Sequence, residues 1–116
     1  MPERVYLFDV DGTLTEPRQL IEPEIEDTFI DWVLSKNKKV YLVTGSDVEK
    51  TKEQLSEDLM DACLGVFTCS GNVFRQDDRI VYSNVFDPSE EFLEDLQLYL
   101  DNSQWRAKKG NHIERR

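Results

Sequence analysis

Two aspartates separated by one residue follow directly on a short apolar run near the start of this 116-residue chain. The run is Val5-Tyr6-Leu7-Phe8, and the polar turn Asp9-Val10-Asp11-Gly12-Thr13 ends it. A β-branched and aromatic run of this length, stopped by a glycine-containing turn, predicts a buried strand of a parallel sheet. Because ligands of open α/β sheets bind at the carboxyl ends of the strands, we expect both carboxylates to lie at a ligand site.

The rest of the chain alternates between predicted helices and strands, which indicates a parallel α/β unit. Pro23 is well placed to open the first helix, which we expect to end near Lys36 to Lys38. Its apolar residues recur at steps of three and four and predict one buried face, made of Ile25, Phe29, Trp32 and Val33. The other predicted elements are a strand over 40–43, a helix over 48–55 capped by Ser46 or Asp47, a strand over 63–67, a β-hairpin over 72–82, a helix from Pro88 and a strand from Trp105 onward.

Composition and charge limit the classes of partner. The net charge of −10 opposes binding to nucleic acid or to an anionic membrane surface.

The sequence has no run of about 18 apolar residues and no basic region followed by an apolar stretch at its start, so we expect neither a membrane span nor a signal peptide. The spacing of Cys63 and Cys69 fits neither a redox pair nor a zinc site, and it favours two reduced thiols in a cytoplasmic protein.

The last twelve residues are basic, unlike the rest of the chain. Residues 105–116 hold five Lys or Arg residues against the single acid Glu114. This segment can be a solvated charged strand, or it can bind a phosphorylated ligand. The segment alone does not choose between the two.

The Asp-x-Asp pair suits phosphoryl transfer. Residues two apart on an extended segment point to the same side, so Asp9 and Asp11 can face one substrate. One carboxylate can attack phosphorus while the other exchanges a proton with the bridging oxygen. A phosphate beside two carboxylates needs a cation, and oxygen ligands favour Mg²⁺. Gly12 allows a close approach to the phosphate, and Thr13 can donate a hydrogen bond.

A second loop supports this interpretation. The predicted strand over 40–43 ends in Thr44-Gly45, which supplies a hydroxyl and an amide at the same edge of the sheet. Taken singly, an Asp-x-Asp pair is more often a cap or turn, and Thr44 is more often a helix cap than a ligand. The two features together, in this order, favour a phosphate site.

These residues resemble a known family. Asp9 to Thr13 is similar to motif I of the haloacid dehalogenase superfamily of phosphotransferases, and Thr44 resembles motif II. The segments FDVDGTLTEPRQ, VTGSDVEKTKEQL and SGN are similar in order and spacing to eukaryotic-type phosphomannomutases. The terminal KKGNHIERR resembles a strand pair of that family's cap. The similarity covers essentially the whole chain and about the first half of the family's length.

The resemblance implies a role for each matching residue. Asp9 would be the phosphorylated nucleophile, and Asp11 the general acid and base; both would contribute to the Mg²⁺ site, Asp11 through its backbone carbonyl. Arg18 would contact the sugar phosphate. The transferring phosphoryl group would be bound by Thr44, Gly45 and Ser46. Arg116 would bind the second, non-reacting phosphate, whereas Ser70 stands where the family has Glu and Thr44 where it has Gly.

The resemblance also implies parts that these residues do not supply. The lysine that neutralises the aspartyl-phosphate and a later acidic motif both follow the cap in that family. The 116 residues are therefore either part of a longer protein or a shortened relative that holds Mg²⁺ weakly. We expect an α/β fold with a Rossmann-like parallel sheet core over residues 1–83, followed by the beginning of an α+β cap over 84–116.

Three functions remain open from the sequence. The first is a phosphomannomutase that converts mannose 6-phosphate to mannose 1-phosphate for GDP-mannose synthesis, with hexose phosphates as ligands and, as in the resembled family, dimerisation through the cap. The second is a sugar-phosphate phosphatase of the same superfamily. The third is an inactive relative that serves as an interaction module.

Overall fold

The computed structural model describes residues 3–84, 87–108 and 110–113. The chain divides after Asn84 into two compact units. None of the helices in the described part of the chain is long and apolar enough to cross a membrane.

The first unit alternates strands and helices, as predicted. In chain order its elements are β1 (Val5–Asp9), α1 (Pro23–Ser35), β2 (Lys39–Val43), α2 (Val48–Gln54), α3 (Glu57–Ala62), β3 (Gly65–Thr68), a 3₁₀ turn (Cys69–Gly71), β4 (Val73–Gln76) and β5 (Arg79–Ser83). Helix α3 was not predicted. It has only six residues, and it begins where the Ser56 hydroxyl accepts a hydrogen bond from the Leu59 N–H.

The five strands form one sheet in the order β1-β2-β3-β4-β5. The first three strands are parallel neighbours, and β4 and β5 continue the sheet as an antiparallel hairpin. The sheet is therefore mixed, and its parallel part carries the helical crossovers that define an α/β fold. The predicted fold class and the predicted hairpin are confirmed.

The core lies on one face of the sheet, under α1 and α3. Its central side chains are fully buried, among them Leu42 of β2 and Leu59 of α3. Aromatic edges add contacts, since Phe8 of β1 meets Phe29 of α1 with ring centroids 5.2 Å apart. The predicted buried face of α1 is wrong at Ile25, which is 44% exposed because it lies in the first turn of the helix.

The opposite face of the sheet carries an aromatic row that crosses three strands. Phe67, Phe74 and Tyr82 are successive cross-strand partners on β3, β4 and β5. The rings of Phe67 and Phe74 are stacked with centroids 4.4 Å apart, and Tyr82 lies 6.0 Å from Phe74. On the same face, Leu7 of β1 is 66% exposed. This face is thus apolar but only partly shielded from solvent.

The second unit contains α4 (Glu90–Asn102), close to the predicted start at Pro88. The Ser89 hydroxyl caps it by accepting a hydrogen bond from the Phe92 N–H. Asp101 accepts a hydrogen bond from the Gln97 side chain one turn earlier, near the end of the helix.

The strand predicted from Trp105 onward is wrong for the residues that the structure describes there, 105–108 and 110–113. They form turns held by Asn111, whose side chain donates to the Trp105 carbonyl and accepts from the Ala107 N–H. Gly110 has a φ of 83°, which ends any extended run. Local side-chain bonds therefore satisfy backbone groups that a strand would have paired with a neighbour.

Replacement of Leu42 tests where the core lies. We expect Leu42→Ala to lower the free energy of unfolding by about 2–5 kcal/mol, because it opens a cavity under the sheet. Leu34→Ala, on the exposed side of α1, is the matched control and should change it by less than about 0.5 kcal/mol. Urea denaturation monitored by circular dichroism measures both. Equal costs for the two variants would contradict the described core.

Candidate active site

The loop after β1 turns tightly around one carbonyl group. The Val10 carbonyl accepts hydrogen bonds from the N–H groups of Thr13, Leu14 and Thr15, at 3.1, 3.0 and 3.2 Å. Gly12 has a φ of 78°, a left-handed conformation that favours glycine. Val10 itself is completely buried, so the two aspartates on either side of it are fixed to the core.

Asp9 is the last residue of β1, and its carboxylate is exposed. The Thr13 hydroxyl donates to Asp9 Oδ2 at 3.3 Å. Asp9 is the register partner of Val43 on the parallel strand β2, so the chain after Val43 leaves the sheet beside Asp9. Thr44 therefore begins the second loop at the same edge, as the sequence predicted.

Asp11 is held by two donors that act on the same oxygen. The Arg18 backbone N–H donates to Asp11 Oδ1 at 2.5 Å, and Gln54 Nε2 donates to it at 2.8 Å. The pKa of Asp11 lies below its ordinary value. The backbone hydrogen bond from Arg18 is the larger cause, and the hydrogen bond from the Gln54 side chain is the second. The ionised carboxylate is therefore the stabilised form.

Arg18 acts on Asp11 mainly through its backbone N–H. It has a φ of 61°, an uncommon left-handed conformation for arginine, which directs its N–H to Asp11. The guanidinium contributes a further electrostatic lowering of the pKa of Asp11. Its contact with a sugar phosphate remains a prediction, and the predicted role of Arg116 lies outside the described residues.

The second loop is tied to the segment that follows β3. The Thr44 carbonyl accepts from the Ser70 N–H at 3.0 Å, and the Ser46 carbonyl accepts from the Cys69 N–H at 2.9 Å. Cys69 and Ser70 have φ angles of 51° and 57°, so two consecutive left-handed residues form this junction. The Thr44–Ser46 loop, which follows β2, is thereby held in place by the residues that follow β3.

The Thr44 side chain lies inside this loop. It is 3% exposed, and its hydroxyl oxygen accepts a hydrogen bond from the Ser46 N–H at 3.1 Å. The cap of α2 is instead Asp47, which accepts from the Lys50 N–H at 2.9 Å. Of the two caps that the sequence allowed, the structure therefore uses Asp47, and Ser46 belongs to the loop.

Two residues of the loop after β1 offer oxygen donors for a cation, Asp9 through its carboxylate and Asp11 through its backbone carbonyl. Within residues 3–84, 87–108 and 110–113, no three His, Cys, Asp or Glu side chains form a group that could hold a metal ion. Proteins commonly bind Mg²⁺ through one or two carboxylates, while water and phosphate oxygens complete the shell. Asp9 and Asp11 fit this requirement in the type of their donor atoms.

Two residues of the site were not predicted from the sequence. Gln54, the last residue of α2, is 5% exposed, and its amide donates to Asp11 and, at 3.3 Å, to the Thr15 hydroxyl. Thr15 is 6% exposed and donates in turn to the Val10 carbonyl. Neither residue could be found from the sequence, because the buried residues of the seven-residue helix α2, Thr51 and Gln54, are polar and mark no apolar face.

The pKa of Asp11 predicts a pH-dependent contribution to stability. Because this pKa lies lower in the folded state, the carboxylate stabilises the fold fully above its unfolded-state pKa of about 3.8, and the contribution is lost as the pH falls through the folded-state pKa. We expect Asp11→Asn to unfold at a lower urea concentration than the wild type at about pH 7, with a difference that shrinks towards about pH 2. Asp27→Asn controls for loss of an exposed carboxylate. A difference that stays constant with pH would contradict the assignment.

Comparison with known proteins gives one family. The sequence profile of the haloacid dehalogenase-like hydrolases matches residues 6–107. Phosphomannomutase 1 of Dictyostelium discoideum is 42% identical over 71 residues, which are 61% of this chain and 28% of that protein. The phosphomannomutase of Triticum aestivum is 33% identical over 114 residues, 93% of this chain and 45% of that protein. The chain thus spans less than half the length of these relatives.

Solved structures show the same fold at low identity. A haloacid dehalogenase-like hydrolase from Bacteroides thetaiotaomicron superposes with a TM-score of 0.62 at 20% identity, over 84% of this chain and 36% of that one. A sugar phosphatase of haloacid dehalogenase subclass IIB gives a TM-score of 0.59, also at 20% identity, over 84% of this chain and 37% of that one.

Proposed function

The chain belongs to the haloacid dehalogenase-like hydrolase family, and on that premise we propose that Asp9 is the nucleophile of a magnesium-dependent phosphoryl transfer. The observation that carries the proposal is the parallel register of Asp9 with Val43. It brings the acidic loop after β1 and the Thr44–Ser46 loop to one edge of the sheet, where a single phosphate can meet both.

The hydrogen bonds support a division of labour between the two carboxylates. Thr13 donates to Oδ2 of Asp9, which favours attack on phosphorus by the other oxygen, Oδ1. The P–O bond of the ester breaks as the Asp9–phosphorus bond forms, and protonated Asp11 gives its proton to the leaving oxygen, which leaves Asp11 as the carboxylate that its hydrogen bonds stabilise. In the second half of the reaction the Asp11 carboxylate takes a proton from the incoming hydroxyl, which attacks the phosphorus as the Asp9–phosphorus bond breaks.

The Thr44 loop would bind the phosphoryl group during both steps. Because the Thr44 oxygen accepts from the Ser46 N–H, its own hydrogen can be donated to a phosphoryl oxygen. Asp9 and the backbone carbonyl of Asp11 would hold Mg²⁺, and the ion would supply positive charge against the negative charge that accumulates there.

We assign the substrate to the hexose phosphates, and specifically mannose 6-phosphate converted to mannose 1-phosphate. The support is the similarity to phosphomannomutases along 93% of the chain, together with Arg18 at the edge of the site. Such a mutase holds two phosphates in turn, for which arginine is a suitable bidentate partner. Arg116 is proposed for the second phosphate.

The larger organisation is part of the same proposal. Residues 1–83 would form the catalytic core, and residues 84–116 the start of a cap through which two copies could associate. Cys63 and Cys69 are free thiols, which suits the reducing cytoplasm. Burial raises the pKa of the Cys63 thiol to about 12, so this cysteine serves packing and not chemistry.

One other function has specific support. The Asp9 carboxylate is exposed, so water could take the phosphoryl group and make the protein a sugar-phosphate phosphatase. An inactive interaction module is the third function that the sequence left open, and it predicts no Mg²⁺-dependent binding of beryllofluoride at Asp9. The two experiments below separate these three functions.

Binding of beryllofluoride, which mimics the phosphoryl group on aspartate, tests the nucleophile. We expect Mg²⁺-dependent binding at Asp9 in the ¹⁹F NMR spectrum and none in Asp9→Asn. Because Asp9 is exposed, this variant should keep its free energy of unfolding within about 0.5 kcal/mol of the wild type. Binding that persists in Asp9→Asn would place the nucleophile elsewhere.

Product analysis by ³¹P NMR tests the reaction. With Mg²⁺ and mannose 6-phosphate, the native-length protein should produce mannose 1-phosphate, and Asp9→Asn should lower the rate by at least about 10³-fold. Inorganic phosphate as the sole product would identify a phosphatase. If the sugar phosphate is left unchanged, the protein is the interaction module and the mutase proposal is wrong.

A further inference from the structure

The end of α2 reaches into the acidic loop through one buried amide. Gln54 is 5% exposed, although glutamine is mostly a surface residue. A buried amide is costly unless its hydrogen bonds are made, so its partners indicate why it is there. Both of its described side-chain hydrogen bonds end in the loop after β1.

The two N–H groups of this amide join the two halves of the loop. Nε2 donates to Asp11 Oδ1 at 2.8 Å and to the Thr15 hydroxyl at 3.3 Å. The Gln54 backbone takes part as well, since its carbonyl accepts from the Ile21 N–H at 2.9 Å. Gln54 thus fixes Asp11 relative to the segment that leads from the loop into α1.

The position of these bonds on Asp11 distinguishes its two oxygens. Gln54 and the Arg18 N–H both donate to Oδ1, from a side chain and from the backbone. Two donors on one oxygen restrict rotation of the carboxylate about its last bond. The oxygen that can face the leaving group is then Oδ2.

We propose that Gln54 is a positioning residue for Asp11, which holds Oδ1 so that Oδ2 exchanges the proton with the sugar oxygen. The inference rests on the proposed function and adds to it a residue outside the two loops. It differs from a packing role in one respect: loss of Gln54 should impair proton transfer and leave intact the transfer of a phosphoryl group to Asp9 from an ester whose leaving group needs no proton.

The leaving group of the substrate separates these two roles. A sugar alkoxide must be protonated as it leaves, whereas 4-nitrophenolate leaves without a proton. We expect Gln54→Leu, which is close in size but has no N–H, to lower kcat/KM for a hexose phosphate by about 10–100-fold, because kcat/KM reports the step in which the leaving group departs. The same variant should lower kcat/KM for 4-nitrophenyl phosphate by less than about 3-fold and retain Mg²⁺-dependent binding of beryllofluoride.

Thr51→Val is the matched control on the same helix. Thr51 is completely buried one turn before Gln54, and its hydroxyl donates to the carbonyl of Asp47, the cap residue of α2, and not to Asp11. It should change the rates with the two substrates by the same small factor. If Gln54→Leu does not fold, Gln54→Glu keeps the shape and a polar end but, when ionised, has no N–H for Asp11, and it should show the same selective loss.

Two outcomes would overturn the proposal, and they differ from failure of the proposed function. A folded Gln54 variant that loses equal activity with both substrates would show that Gln54 only supports the structure. A variant with unchanged rates would show that Asp11 needs no help from it. A wild-type protein that transfers phosphate from neither substrate would instead reject the proposed function, and the role of Gln54 with it.

Discussion

The site depends on the parallel pairing of β1 with β2. Their register sets Asp9 beside Val43, so two loops that are more than thirty residues apart in the chain leave the sheet side by side. An antiparallel pair would have sent those loops to opposite ends of the sheet. Crossover through α1 is what a parallel pair requires, and the burial of Phe29 and Val33 holds that helix on the sheet.

The two loops are fixed by different means. The acidic loop wraps around the Val10 carbonyl and is held from α2 by Gln54. The Thr44–Ser46 loop is instead bonded to the left-handed residues Cys69 and Ser70. Each loop is thus held by an element that follows it in the chain. The acidic loop is preorganised only once α2 has packed, and the Thr44–Ser46 loop only once β3 has joined the sheet. The geometry for phosphate binding is a property of the folded unit and not of the short motifs.

Much of this arrangement could be predicted from local patterns, because short apolar runs, prolines and polar turns determine local structure directly. The strands, the hairpin and the placement of Asp9 and Thr44 at one edge follow from such patterns. The inward position of Gln54 could not be predicted, because a short helix has no clear apolar face until its partners are known. The strand expected from Trp105 failed for a related reason, since extended chain requires a neighbour and local bonds to Asn111 were available instead.

The two faces of the sheet in the first unit differ in how much apolar surface they bury. The face under α1 and α3 is buried in the core, whereas the aromatic row from Phe67 to Tyr82 and the exposed Leu7 on the other face still contact water in part. Each square ångström of apolar surface covered there would contribute about 25 cal/mol. Any layer that covers the second face will therefore raise the free energy of unfolding of the first unit. It will do so by stabilising the sheet whose first strand leads into the loop with the two aspartates.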